Sequence, residues 1–201
     1  MGFTLSNASS INLNFILYVI NMYNEKSNST GKQDKFLSME ELYRVVPSIW
    51  NNLIKRFTPI NGRASNSSFI YWDKELLKQK DLYRTLFKDT EEGHKEYLNI
   101  WNQYSRWWYD ECQSMINKKT DEFIPTIYNL VKNKLILNKG YLLPDNFAIE
   151  VVFSEIPKDC LLNGDLFTIE SINNFSSESD VSEISERLYE LILSKYSADV
   201  K

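Results

Sequence analysis

The sequence predicts an α+β fold that is predominantly helical: about six helices, with a small two- to three-stranded sheet contributed mainly by the C-terminal third. Three observations predict it. Apolar residues recur at helical spacing through most of the first two thirds of the chain. The pattern then changes to two short runs of branched and aromatic residues, 146–153 and 165–172. Helical spacing returns over 181–196. The chain has 201 residues, 43% hydrophobic and 25% charged, an ordinary composition for a globular protein. One compact domain over 1–201 is expected at this length. It can bury roughly 70% of its unfolded surface without a disulfide or metal staple.

The first helix is expected in "INLNFILYVINMY" (11–23), capped by Ser9 or Ser10. This run is too short and too interrupted by Asn to span a bilayer. It also lacks the basic flank and cleavage site of a signal peptide, so no membrane partner is expected. Residues 24–35 lack apolar anchors and contain Gly31, which reads as an exposed loop. Ser38 and Glu41 form a capping box for the next helix, which Pro47 should kink or divide. Residues 58–68 read as a loop, 69–72 as a short strand and 73–87 as a helix. Asp89 and Glu92 mark the start of a helix to about Asn117. Another is expected over 124–138, with Pro125 in its first turn and Gly140 as its stop. The two strand candidates are joined through Pro157 and the turn signal "NGD" (163–165). Residues 173–180 form a polar connector to the last helix, 181–196, with Asp180 as N-cap.

Residues 97–112, "YLNIWNQYSRWWYDEC", hold three of the five tryptophans. At about 100° per residue, Tyr97, Trp101, Tyr104 and Trp108 fall together and the polar residues fall opposite. The stretch is thus an amphipathic helix with a wide apolar arc. Glu111 projects inside that arc, where an unpaired carboxylate is costly. It can pair with a basic side chain or Tyr hydroxyl, face a local opening to solvent, or line a pocket with a raised pKa. Trp107 and Tyr109 border the arc and are candidates for partner contact.

The net charge of −4 is unevenly spread. Residues 1–90 hold twelve basic and eight acidic residues, 91–141 seven of each, and 142–201 four basic and twelve acidic. On the last helix Val181, Ile184, Leu188, Leu191 and Ile192 share one face, and Glu183, Glu186 and Glu190 the opposite one. This polarity marks either an outside partner or complementarity within one fold.

Chemical motifs are sparse. One His and two scattered Cys, Cys112 and Cys160, cannot supply a zinc site of the usual Cys/His type, and no metal or cofactor is expected. The absence of a cysteine framework favours a reduced, cytoplasmic setting. No Walker loop, G-x-G-x-x-G or G-x-S-x-G occurs. Residues 38–72 fit a helix-turn-helix followed by a wing, in which Asn51, Asn52, Lys55, Arg56 and Arg63 would contact nucleic acid. An enzyme would draw on Glu111 or His94. The leading expectation is a small cytoplasmic, non-enzymatic protein that regulates or inhibits a macromolecular partner through protein–protein contacts. Trp107, Tyr109, Glu183, Glu186 and Glu190 would carry it. Self-association fits the same features. An Asn/Lys-heavy, motif-poor chain also suits a mobile-element or phage accessory or immunity-type factor. Nucleic-acid binding is the alternative, and an enzyme with a pocket carboxylate at Glu111 the third.

Overall fold

The computed structural model describes residues 4–26, 35–56, 81–137, 146–164 and 167–196. The chain is predominantly helical with a small parallel sheet. Its elements run β1 (Thr4–Ala8), α1 (Ile11–Lys26), α2 (Met39–Arg56), the single turn α3 (Asp81–Arg84), α4 (Glu91–Trp107), a π-helical segment (Trp108–Cys112), α5 (Gln113–Leu137), β2 (Asn146–Val152), β3 (Phe167–Ser171), a 3-10 turn (Ile172–Asn174) and α6 (Glu178–Tyr196).

The sheet order is β1-β2-β3, all parallel. Both strand candidates form, as β2 and β3. The sheet is not confined to the C-terminal third, however, because its first strand comes from the N-terminus. Register places Leu5 beside Phe147, Ala8 beside Glu150, and Glu150 beside Ile169. Alternation then puts Asn7, Ile149, Val151, Thr168 and Glu170 on one face, and Ala8, Glu150, Val152, Ile169 and Ser171 on the other. Helices cover both faces, which explains why residues 147–152 and 167–171 are buried throughout. On the first face Asn7 Nδ2 donates to Thr120 Oγ1 of α5 (2.8 Å), and Arg187 of α6 reaches Glu170. On the second face lies the start of α1, where Glu150 Oε1 accepts from the Ser10 N–H.

Helix α1 is buried around nearly its whole circumference, with Leu13, Phe15, Ile16 and Val19 at 0% exposure. Ser10 is its N-cap: the Oγ accepts from the N–H groups of Asn12 and Leu13, both at 3.2 Å. The asparagines that break its apolar run are core residues. Asn14 Nδ2 donates to the Ser10 carbonyl (2.8 Å), and its Oδ1 accepts from Phe153 N–H (2.8 Å). Asn12 Oδ1 accepts from the Tyr83 hydroxyl. No described helix is long and apolar enough to cross a membrane.

The capping box of α2 forms as expected. Ser38 N–H donates to Glu41 Oε2 (2.8 Å) and Glu41 N–H to Ser38 Oγ (3.2 Å), which holds the Glu41 carboxyl below its ordinary pKa. Pro47, in contrast, neither starts nor ends a helix, since α2 is one helix from Met39 to Arg56. The helix-turn-helix expected over 38–72 therefore lacks its turn and its separate second helix. Pro125 likewise lies inside α5, so the two helices expected on either side of residue 120 are one. A proline deprives the carbonyl four residues earlier of its donor. Those carbonyls belong to Tyr43 and Asp121, both exposed, where water can serve them.

Two helix starts differ from expectation by a short distance. Thr90, not Asp89, caps α4 by accepting from Gly93 N–H at 3.0 Å. Ser177, not Asp180, caps α6, so part of the connector 173–180 is the first helical turn. The strand expected at 69–72, most of the helix 73–87, the loop 27–34 and Gly140 lie outside the described residues.

Of the three tryptophans of 97–112, Trp108 packs on Tyr104, Trp107 on Tyr18 and Phe153, and Trp101 on Phe15. The Phe15 ring meets those of Tyr83 (5.3 Å), Tyr97 (6.4 Å), Trp101 (4.6 Å) and Tyr104 (5.2 Å), which locks α4 onto α1. Buried positions then recur at Ile100, Tyr104, Trp108, Cys112, Ile116 and Thr120. A spacing of four drifts by about 40° per step on a straight α-helix. The π-helical segment, where Gln113 N–H bonds to the Trp108 carbonyl, adds one residue to a turn and resets the stripe. Before it the helix packs on α1, and after it on β1 and α6.

Candidate functional site

The site begins with two glutamates that sequence projection did not single out. Strands β2 and β3 each carry one acid near their ends: Ala-Ile-Glu-Val-Val around Glu150, and Thr-Ile-Glu-Ser around Glu170. Both are buried, at 0% and 4% exposure. They lie near the carboxyl ends of adjacent strands but on opposite faces of the sheet. In open parallel sheets this end is where ligands usually bind. The shared "I-E" inside both strand runs is the sequence signal that marks them.

Glu150 is committed to the fold. Its carboxylate sits at the N-terminus of α1, where helix dipole and N–H donors favour an anion. The position that a βα unit commonly offers to a ligand's anion is thus filled from within. Around it, Ser10, Asn12 and Asn14 are all buried.

Glu170 faces a groove. Its Oε2 accepts from Arg187 Nη2 (2.7 Å) and Asn174 Nδ2 (2.9 Å), and its Oε1 lies 3.4 Å from Arg187 Nε. Arg187 itself is half exposed, so this pair is solvent-screened on one side. The groove encloses about 650 Å³ between the end of β3, the 155–163 loop and α6. Ile156, Leu162 and Leu191 supply apolar walls, and among the described lining residues Glu155, Glu170 and Glu190 oppose Arg187 as the charged groups. Three carboxylates against one guanidinium make it acidic.

The loop that forms one wall is firmly held. Asn51 of α2 donates to the Asp159 carbonyl (3.2 Å) and accepts from Leu161 N–H (2.7 Å), while Trp50 Nε1 donates to the Leu161 carbonyl (2.9 Å). Asp159 adopts a left-handed backbone, φ 69°, a conformation held in place by these bonds. The loop returns alongside β3, with Ile169 N–H on the Leu162 carbonyl (2.6 Å) and Gly164 N–H on the Phe167 carbonyl (2.9 Å). A Cβ at Gly164 would overlap the buried Phe167 ring, so this turn requires glycine. The outcome is a fixed loop presenting Leu161 and Leu162 to water at 41% and 49% exposure.

Of the described residues expected to be functional, Glu190 alone lines the groove. Glu111 is exposed, as are Asp110 and Tyr109. Of its three options the structure has the local opening to solvent, because the π-helical segment rotates this carboxylate off the buried stripe. His94 lies half-buried at the start of α4, with its ring 6.2 Å from that of Tyr97. Seventeen residues of helix separate it from Glu111, roughly 25 Å at 1.5 Å per residue, so the two do not share a site. Trp107 is half-buried against Tyr18 (5.4 Å) and Phe153 (4.9 Å). Tyr109 is 62% exposed. Asn51 is spent on the loop, Asn52 and Lys55 are exposed, and the Arg56 side chain and Arg63 lie outside the described residues.

The acidic face of α6 divides. Glu186 pairs with Lys134 of α5, and Glu183 lies 4.0 Å from Arg187. Glu190 lines the groove. Part of the charge asymmetry is therefore consumed inside the fold. Burial pushes the thiols of Cys112 and Cys160 up to about 12, which leaves them protonated and poorly nucleophilic at neutral pH. Among the described residues no group of His, Cys, Asp or Glu is placed to hold a metal ion. Compared with known proteins, the chain matches no family model, no curated protein and no solved structure.

Proposed function

We propose that this protein is a small non-enzymatic binding protein that regulates or inhibits a macromolecular partner through protein–protein contacts. Its contact surface is the 155–163 loop together with the groove beside it. One observation carries this proposal: two leucines are held in water by a loop whose backbone is fixed from α2. An apolar anchor that is already ordered binds a partner without the entropy cost of fixing a loop. The exposed Glu183 and Glu190 extend the surface and Tyr109 does not line the groove, so the α6 acids matter more here than the border aromatics.

The test is quantitative capture of cellular partners by the immobilised chain. The Leu161→Asp, Leu162→Asp double variant is expected to reduce capture at least tenfold, and Glu190→Lys to weaken it. Glu186→Gln, which touches only the α5 contact, leaves capture unchanged. Undiminished capture by the leucine double variant contradicts the proposal.

A further inference from the structure

We propose that the groove receives a short segment of a partner protein in which a leucine-sized apolar side chain is flanked by lysine or arginine. This rests on the protein-binding function proposed above and specifies its partner. The walls decide the apolar element: Ile156, Leu162 and Leu191 line the groove and offer no hydrogen bond to a polar insert. The rim decides the charge. Glu155 and Glu190 are exposed at the groove, whereas Arg187, the one cation among its described lining residues, is already engaged by Glu170. Residues 183, 187, 190 and 194 follow one another along one face of α6, so Glu183 continues the acidic rim beyond the groove. Complementary charge steers such a segment in and rejects acidic ones. The same rim repels phosphate, which sets this surface against nucleic acid. An apolar ligand without basic flanks would strip water from the rim carboxylates with no compensation.

Three labelled nine-residue peptides test this by fluorescence anisotropy against the full chain: leucine alternating with lysine, the same with glutamate for each lysine, and the same with serine for each leucine. The leucine–lysine peptide is expected to bind at least tenfold more tightly than either control. Leu162→Asp and Glu190→Lys each weaken it tenfold or more, and Glu186→Gln changes it less than twofold. Glu190→Lys is also expected to improve binding of the leucine–glutamate peptide, a gain that a misfolded variant cannot give. Equal binding of the lysine and glutamate peptides overturns the inference, as does no binding of the leucine–lysine peptide at millimolar concentration. Self-association in sedimentation velocity that Leu162→Asp abolishes also overturns it, in favour of a second copy as occupant. If the peptides fail while the leucine double variant still loses its cellular partner, this inference falls and the protein-binding function stands.

Discussion

The two faces of the sheet treat a buried carboxylate in opposite ways. On one, Glu150 closes the N-terminus of α1 within a shell of Ser10, Asn12 and Asn14, all buried. On the other, Glu170 holds a half-exposed Arg187 at the floor of a groove. The same residue type, at almost the same height on adjacent strands, is a structural fastener in one place and part of a surface in the other. Solvent access makes the difference. An anion cut off from water at a helix N-terminus ties strand to helix, and one that shares a partner with water can exchange it.

The largest expected effect tests the fastener. Glu150→Ala strands the buried Ser10 N–H and should cost about 3 kcal/mol, read as a lower urea midpoint. Asn14→Ala leaves Phe153 N–H without its acceptor and should cost about 2 kcal/mol. Glu170→Ala should cost only about 1 kcal/mol, because its partner is half in water. If Glu170→Ala proves as costly as Glu150→Ala, the distinction between the faces collapses. Gly164→Ala bears on the groove alone: displacing the Phe167 ring should cost about 1–3 kcal/mol and loosen the loop that carries the leucines.

Much of this architecture was legible in the sequence. The capping box at Ser38 and Glu41, strands β2 and β3, and the buried face of α6 all follow from local spacing, and local spacing formed them. Strand β1 was not legible, because Thr-Leu-Ser-Asn-Ala has neither alternation nor a branched run; its pairing with β2, some 140 residues away, makes it a strand. Pro47 reads as a kink or a new helix start and Pro125 as a first-turn residue, yet each lies inside one helix with its lost hydrogen bond pointed at water. Glu111 was misplaced for a different reason: a fixed 100° step cannot anticipate an extra residue in one turn. The groove was the least legible feature, since Leu162, Glu170 and Arg187 come together only in three dimensions, though the glutamate inside the β2 and β3 runs was a signal in the sequence.

Alkaline pH gives a smaller, shared effect. Cys112 ends the π-helical segment that begins at Trp108, and Cys160 lies in the groove loop. Burial raises both thiols from an ordinary 9.0 to about 12. The unfolded thiols ionise first, so this contribution is intact below about pH 9 and is lost as pH rises towards 12. Cys160→Ala should flatten the fall in stability over that window, measured by urea unfolding at stepped pH. The smallest effect is expected at Glu111: Glu111→Gln should change stability by less than about 0.5 kcal/mol, since this carboxylate already faces water.

The central claim is that the face holding Glu170 binds and the face holding Glu150 does not. Titration of the leucine–lysine peptide into the isotopically labelled chain, followed by backbone amide NMR, tests it most directly. The largest shift changes are expected at Leu162, Ser171, Asn174 and Glu190, with Ser10 and Glu150 unmoved. Changes centred on Ser10 and Glu150, or spread evenly over the surface, would contradict it.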